Sequence, residues 1–161
     1  MDSVFRLILR FLVVPVGGIV AACVGTLVLI VAHWGALETL ARADAPAQEE
    51  WFLALVIAGP VLAMLFSLLA FHALTAAAIG VLVAEFFAVR SWIYHALNGA
   101  LASWIGWALM ADLRAEYADF ADPKILVAAG LAGGLAYWAV AGWSAGFWRP
   151  VRTIDEPQRR A

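Results

Sequence analysis

Polar positions along this chain are few, and they are clustered. Between Phe52 and Trp92 the only acidic or basic side chains are His72, Glu85 and Arg90. Uncharged apolar runs also cover 11–32 and 125–148. A helix rises about 1.5 Å per residue, so about 20 apolar residues cross a hydrocarbon core about 30 Å thick. No run shows the sustained alternation of a transmembrane barrel. The pattern therefore predicts an all-α polytopic membrane protein. Four transmembrane helices in a compact bundle are expected at 7–33, 51–71, 74–95 and 125–148. A short interfacial or re-entrant helix is expected at 99–110. All belong to one transmembrane domain.

The punctuation of these runs is uneven. Pro15, Gly17 and Gly18 fall in the first helix and predict a kink, since neighbouring helices can resatisfy a carbonyl freed by proline. Gly59-Pro60 predicts another in the second. Trp34 and Trp51 bracket a loop, as indole rings favour the membrane interface. The turn between the second and third helices is marked by no Gly, Pro or charge. It is placed at His72–Thr75 because two crossings must fit. Asn98-Gly99 is a turn signal. The Trp-containing segment after it is short, hence its interfacial reading. Pro123 stands where a helix tolerates proline, in its first turn. Small-residue pairs at Ala21/Gly25, Gly130/Gly134 and Gly142/Gly146 predict close helix packing, within this protein or with another.

Composition strengthens the membrane reading. Apolar residues make up 65% of the chain and charged ones 14%, with mean hydropathy +0.91. A soluble domain carries about 25% charged residues. The net charge of -2 says little about partners, but its distribution orients the chain. Arg6 and Arg10 precede the first long apolar run, and Arg149, Arg152, Arg159 and Arg160 follow the last. These six mark topology or meet lipid headgroups. The loop after Trp34 carries Arg42 against Glu38, Asp44, Glu49 and Glu50. The segment after Met110 carries Arg114 and Lys124 against Asp112, Glu116, Asp119 and Asp122. Under the positive-inside tendency both termini are cytoplasmic and both acidic segments are external, which requires an even number of crossings. The first apolar run is too long for the core of a signal peptide, so it is expected to be retained. Cys23 reads as a small buried hydrophobe.

Chemistry is sparse. Glu85 is expected near mid-bilayer, where a carboxylate is costly unless protonated, paired or facing water. Proton handling, ion coordination and interhelical pairing would each explain it. Arg90 is expected to snorkel outwards. His72 and His95 complete the intramembrane polar candidates. A haem held by two histidines needs both at one depth, and His33 and His95 are expected together near the outer face. The chain contains no HExxH, CxxC, Walker or GxSxG signature. These motifs would have pointed to metal, redox, nucleotide or acyl chemistry. No catalytic or metal-binding residues are assigned, and nucleic-acid binding is not expected.

The stretch Ala84-Glu85-Phe86-Phe87-Ala88-Val89-Arg90-Ser91-Trp92-Ile93-Tyr94-His95-Ala96-Leu97-Asn98-Gly99-Ala100 resembles a recurrent segment of small uncharacterised alphaproteobacterial multi-pass inner-membrane proteins. This chain departs from that pattern at Phe87, His95 and Asn98. The resemblance implies a bacterial inner-membrane location and no particular chemistry. The leading expectation is a non-enzymatic membrane protein, an accessory or structural subunit that meets a larger membrane complex through its glycine faces. A small proton- or ion-coupled transporter using Glu85, with His72 or Arg90 nearby, is one alternative. A pigment- or haem-associated subunit is the other, the cofactor being unknown.

Overall fold

A computed structural model describes residues 2–109 and 122–146. Five α-helices carry the described chain: α1 (Asp2–Ala32), α2 (Trp34–Ala41), α3 (Ala45–Phe87), α4 (Trp92–Leu109) and α5 (Pro123–Val140). A 3-10 turn, Gly142–Ser144, follows α5. Three of them, α1, α3 and α5, contain windows long and apolar enough to cross a membrane.

Helix α5 is the centre of a four-helix arrangement. It packs between α1 and α4, and α4 packs in turn on α3. Neighbours run antiparallel. Gly25 lies by Ala129 and Gly17 by Tyr137 and Ala141, Gly99 lies by Gly130 while His95 lies by Gly134, and Gly80 lies by Asn98 while Gly106 lies by Ala73. The seam is made of small residues: Ala84, Ala96, Ala102, Ala129, Gly133, Gly134, Ala141 and Ala145 are buried. The bulky apolar side chains point outwards, as in Phe11 (81% exposed), Ile57 (70%) and Phe86 (63%). That is the reverse of a soluble core. It is the distribution expected where lipid solvates the outside and small residues let backbones approach. Cys23, expected inside, is on this outer surface.

The region between 51 and 95 differs from the sequence reading. The turn expected at 72–75 is absent, and α3 runs unbroken for 43 residues through Pro60. The polar residues at the expected turn are satisfied within the helix. His72 Nδ1 meets Leu68 O at 2.8 Å, and Thr75 Oγ1 donates to Phe71 O at 2.7 Å. The chain reverses instead at 88–91. Ala88 takes left-handed backbone angles (φ 56°, ψ 41°), Ala88 N donates to Glu85 O and Val89 N donates to Ala84 O at 2.8 Å. These are the paired bonds of a Schellman ending. So 74–95 is not one helix, and 99–110 is not a separate interfacial segment but the second half of α4, as far as Leu109. Asn98-Gly99 makes no turn. Asn98 Nδ2 donates to Ala77 O at 3.1 Å, and Gly99 meets Gly130 backbone to backbone. The last helix stops at Val140 rather than 148. It opens with Asp122 as N-cap, accepting from Lys124 N at 2.8 Å, and Pro123 in its first turn.

The length of α3 has a consequence. At about 1.5 Å per residue its 43 residues extend about 64 Å, roughly twice a hydrocarbon core. Gly106 of α4 lies against Leu69 and Ala73 of α3. Upstream, 45–61 has no buried residue, although Trp51, Phe52, Leu53, Leu55, Val56 and Ile57 are all there. The end of α1, the middle of α3 and the start of α5 enclose a cleft of about 170 Å³ walled by Leu29, Leu62, Phe66, Leu69, Ile125 and Leu126.

Candidate functional site

Four chain segments meet at one end of the bundle: the start of α1, the end of α3 with its 88–91 link, the start of α4, and the end of α5 with its 3-10 turn. Helix C-termini leave carbonyls without intrahelical partners and carry partial negative charge. Two arginines answer this. Arg10 Nη1 donates to Ala141 O and to Ser144 Oγ, each at 2.8 Å. Arg90 Nε donates to Ala145 O at 3.0 Å. Arg10 Nη2 forms an ion pair with Glu85 Oε1. The other carboxylate oxygen of Glu85 accepts from Gly146 N at 3.2 Å. Trp138 Nε1 donates to Arg90 O at 2.9 Å. This polar clasp ties α1, α3 and α5 through side chains 75 and more residues apart in sequence.

Glycines make the closeness feasible. A Cβ on Gly142 would stand 2.8 Å from the His95 ring, and one on Gly17 would stand 2.9 Å from Ala141 Cβ and 3.2 Å from the Tyr137 ring. Gly146, at φ +72°, lies against Ala88. His95 is almost fully buried at the centre, with its ring 5.4 Å from that of Tyr137 and its Nε2 on Val89 O at 3.2 Å.

Several expectations change at this site. Arg10, read as a headgroup or topology marker, is 8% exposed and holds the ion pair. Glu85 is not at the middle of a span. It is the third residue from the end of α3, half-buried, with both oxygens engaged. Arg90 keeps an exposed side chain but is anchored to Ala145, just after the 3-10 turn, rather than simply snorkelling. His72 does not join Glu85, being thirteen residues and so about 20 Å away along α3. His33 stands beside Asp122 at the opposite end of the bundle from His95, so the two do not share a depth. The small-residue pairs, expected to pack within this protein or against another, are used internally. Ala21 meets Gly133, Gly25 meets Ala129, Gly130 and Gly134 meet α4, Gly142 meets His95, and Gly146 meets Ala88. The Arg6 side chain, Arg149, Arg152, Arg159, Arg160 and the segment 110–121 lie outside the described residues.

Tyr137 and Ser144 belong to the clasp and were not singled out in the sequence. Their signal is periodic: 126, 130, 133, 137, 141 and 144 recur at spacings of three and four along the α5 seam. Among the described residues no group of three metal-capable side chains gathers. Chemically the arrangement fixes helix ends, because its carboxylate is saturated by a guanidinium and a backbone N–H. Comparison with family models, curated proteins and solved structures finds no match to this chain.

Proposed function

We propose that this chain is a four-crossing protein of a bacterial inner membrane, and that it serves as an accessory or structural subunit of a larger membrane assembly. The crossings are α1, the C-terminal half of α3, α4 and α5. Their alternating directions leave the start of α1 and the end of α5 at the clasp end, which the positive-inside tendency makes cytoplasmic. The same tendency puts the acidic segments 35–50 and 111–124 outside. The resemblance of 84–100 to small alphaproteobacterial inner-membrane proteins points the same way. The observation that carries the subunit reading is the stretch 51–61 of α3, which is apolar throughout and buries none of its residues. A helix of that kind is buried in protein or lipid. The glycine faces are occupied within the bundle, so this stretch is the surface offered to a partner.

The transporter alternative rests on Glu85, and the engagement of both its oxygens weighs against it. The haem alternative loses its bis-histidine form because His33 and His95 lie at opposite ends. Purification from native membranes in mild detergent, with native mass and visible absorbance read on one sample, tests the proposal. A defined hetero-complex is expected. A colourless free monomer or homo-oligomer would overturn the subunit reading, and flux assays on Glu85→Gln would follow.

A further inference from the structure

Arg10, His95 and Tyr137 are each more than nine-tenths buried, and each keeps one polar atom without a hydrogen-bond partner: Nε, Nδ1 and the hydroxyl, respectively. They come from α1, α4 and α5 but gather around one turn of the chain. Arg10 binds Ala141 O, four residues on from Tyr137, and the His95 ring rests against Gly142 and beside the Tyr137 ring. Buried polar groups are nearly always paired, so three unpaired ones in a single cluster call for a ligand.

We propose that these three groups form a binding site for one buried water molecule. The bonds already present fix what each group offers. Val89 O can only accept, so His95 Nε2 carries its hydrogen and Nδ1 of the neutral ring is an acceptor. Arg10 Nε can only donate. The Tyr137 hydroxyl, with no competing partner, donates as well. Two donors and one acceptor match a water molecule that takes two hydrogen bonds on its lone pairs and gives one to His95. A buried water makes about three such bonds. A direct bond between Tyr137 and His95 would satisfy two of the three atoms, but the rings meet at a 42° tilt and neither atom finds the other. The site is built, not incidental: Gly17 and Gly142 are the positions that let Tyr137 and His95 close on it. The water extends the clasp to α4, which the Arg10–Glu85 pair does not reach.

Tyr137→Phe tests this, because the sign of its effect differs between the two cases. With a bridging water, removing the hydroxyl breaks a bond and lowers the unfolding midpoint in detergent by about 2–4 °C, the shift typical of one hydrogen bond in a chain of this size. With an unsatisfied hydroxyl, the phenylalanine leaves the midpoint unchanged or raises it. Solid-state NMR of histidine-15N-labelled protein in bilayers gives a second readout, with His33→Gln and His72→Gln to assign the signals. Magnetisation transfer from water to His95 Nδ1 is expected, and is expected to fall in Tyr137→Phe. Either a midpoint at or above wild type or the absence of that transfer overturns the site.

Discussion

The two ends of α3 live under different physics. At its C-terminal end Ala84 is fully buried, Glu85 is paired with Arg10, and the chain is stopped by a backbone motif that Gly146 closes over. At its N-terminal end, 45–61 carries larger apolar side chains and buries none of them. Size and hydrophobicity alone do not make a packed helix in this protein. Small residues and satisfied carbonyls do, because lipid solvates Leu and Phe as well as a neighbouring helix does. The large residues of the free half are therefore available for an outside partner, while the clasp half is committed within the bundle.

The clasp half should be the sensitive one. Glu85→Ala leaves the Arg10 guanidinium buried beside carbonyls without its counter-ion. Loss of one partner of a buried pair costs about 3–5 kcal/mol, and unfolding in mixed micelles should show a loss at the lower end of that range, because Arg10 keeps two other acceptors. Replacing both residues, as Arg10→Met with Glu85→Leu, should restore much of the loss. Next in size is Gly130→Ala, whose new methyl meets the Gly99 backbone and Ser103, an overpacking that costs about 1–3 kcal/mol in the same assay. Ala88→Gly should work in the other direction. The left-handed geometry at Ala88 is strained for any residue with a Cβ, and relieving it should add about 1 kcal/mol. The smallest effect is expected from Ile57→Ala, within about 0.5 kcal/mol of wild type for the isolated chain. The same change should weaken recovery of the native complex. A large stability loss for Ile57→Ala would erase the contrast between the two halves.

Much of this was legible in the residues. The helical class, the membrane character, the place of α1 and the start of α5 follow from run length and charge. The Gly130/Gly134 pair announced close packing. What was not legible depends on contacts distant in sequence. Arg10 looked like a headgroup residue because nothing near it reveals Glu85, 75 positions away. The reversal at 88–91 was hidden because alanine, not glycine, takes the left-handed position. Conversely Asn98-Gly99, a turn dipeptide by composition, serves as a tie and a close approach inside α4. The hairpin expected at 72–75 came from fitting two crossings into one apolar run, and the residues there satisfy their own helix instead.

The continuity of α3 is the claim on which the contrast rests, and a distance measurement addresses it directly. Spin labels at Ile57→Cys and Phe87→Cys, both exposed positions, with Cys23 replaced by Ala, report the span by double electron–electron resonance in bilayers. One unbroken helix sets them thirty residue steps apart, a backbone separation of about 45 Å. A hairpin folded at 72–75 would bring the two labels side by side, at about the 8–10 Å spacing of packed helices plus the label arms. A long distance upholds a free apolar half of α3 beyond the bundle. A short one would contradict it.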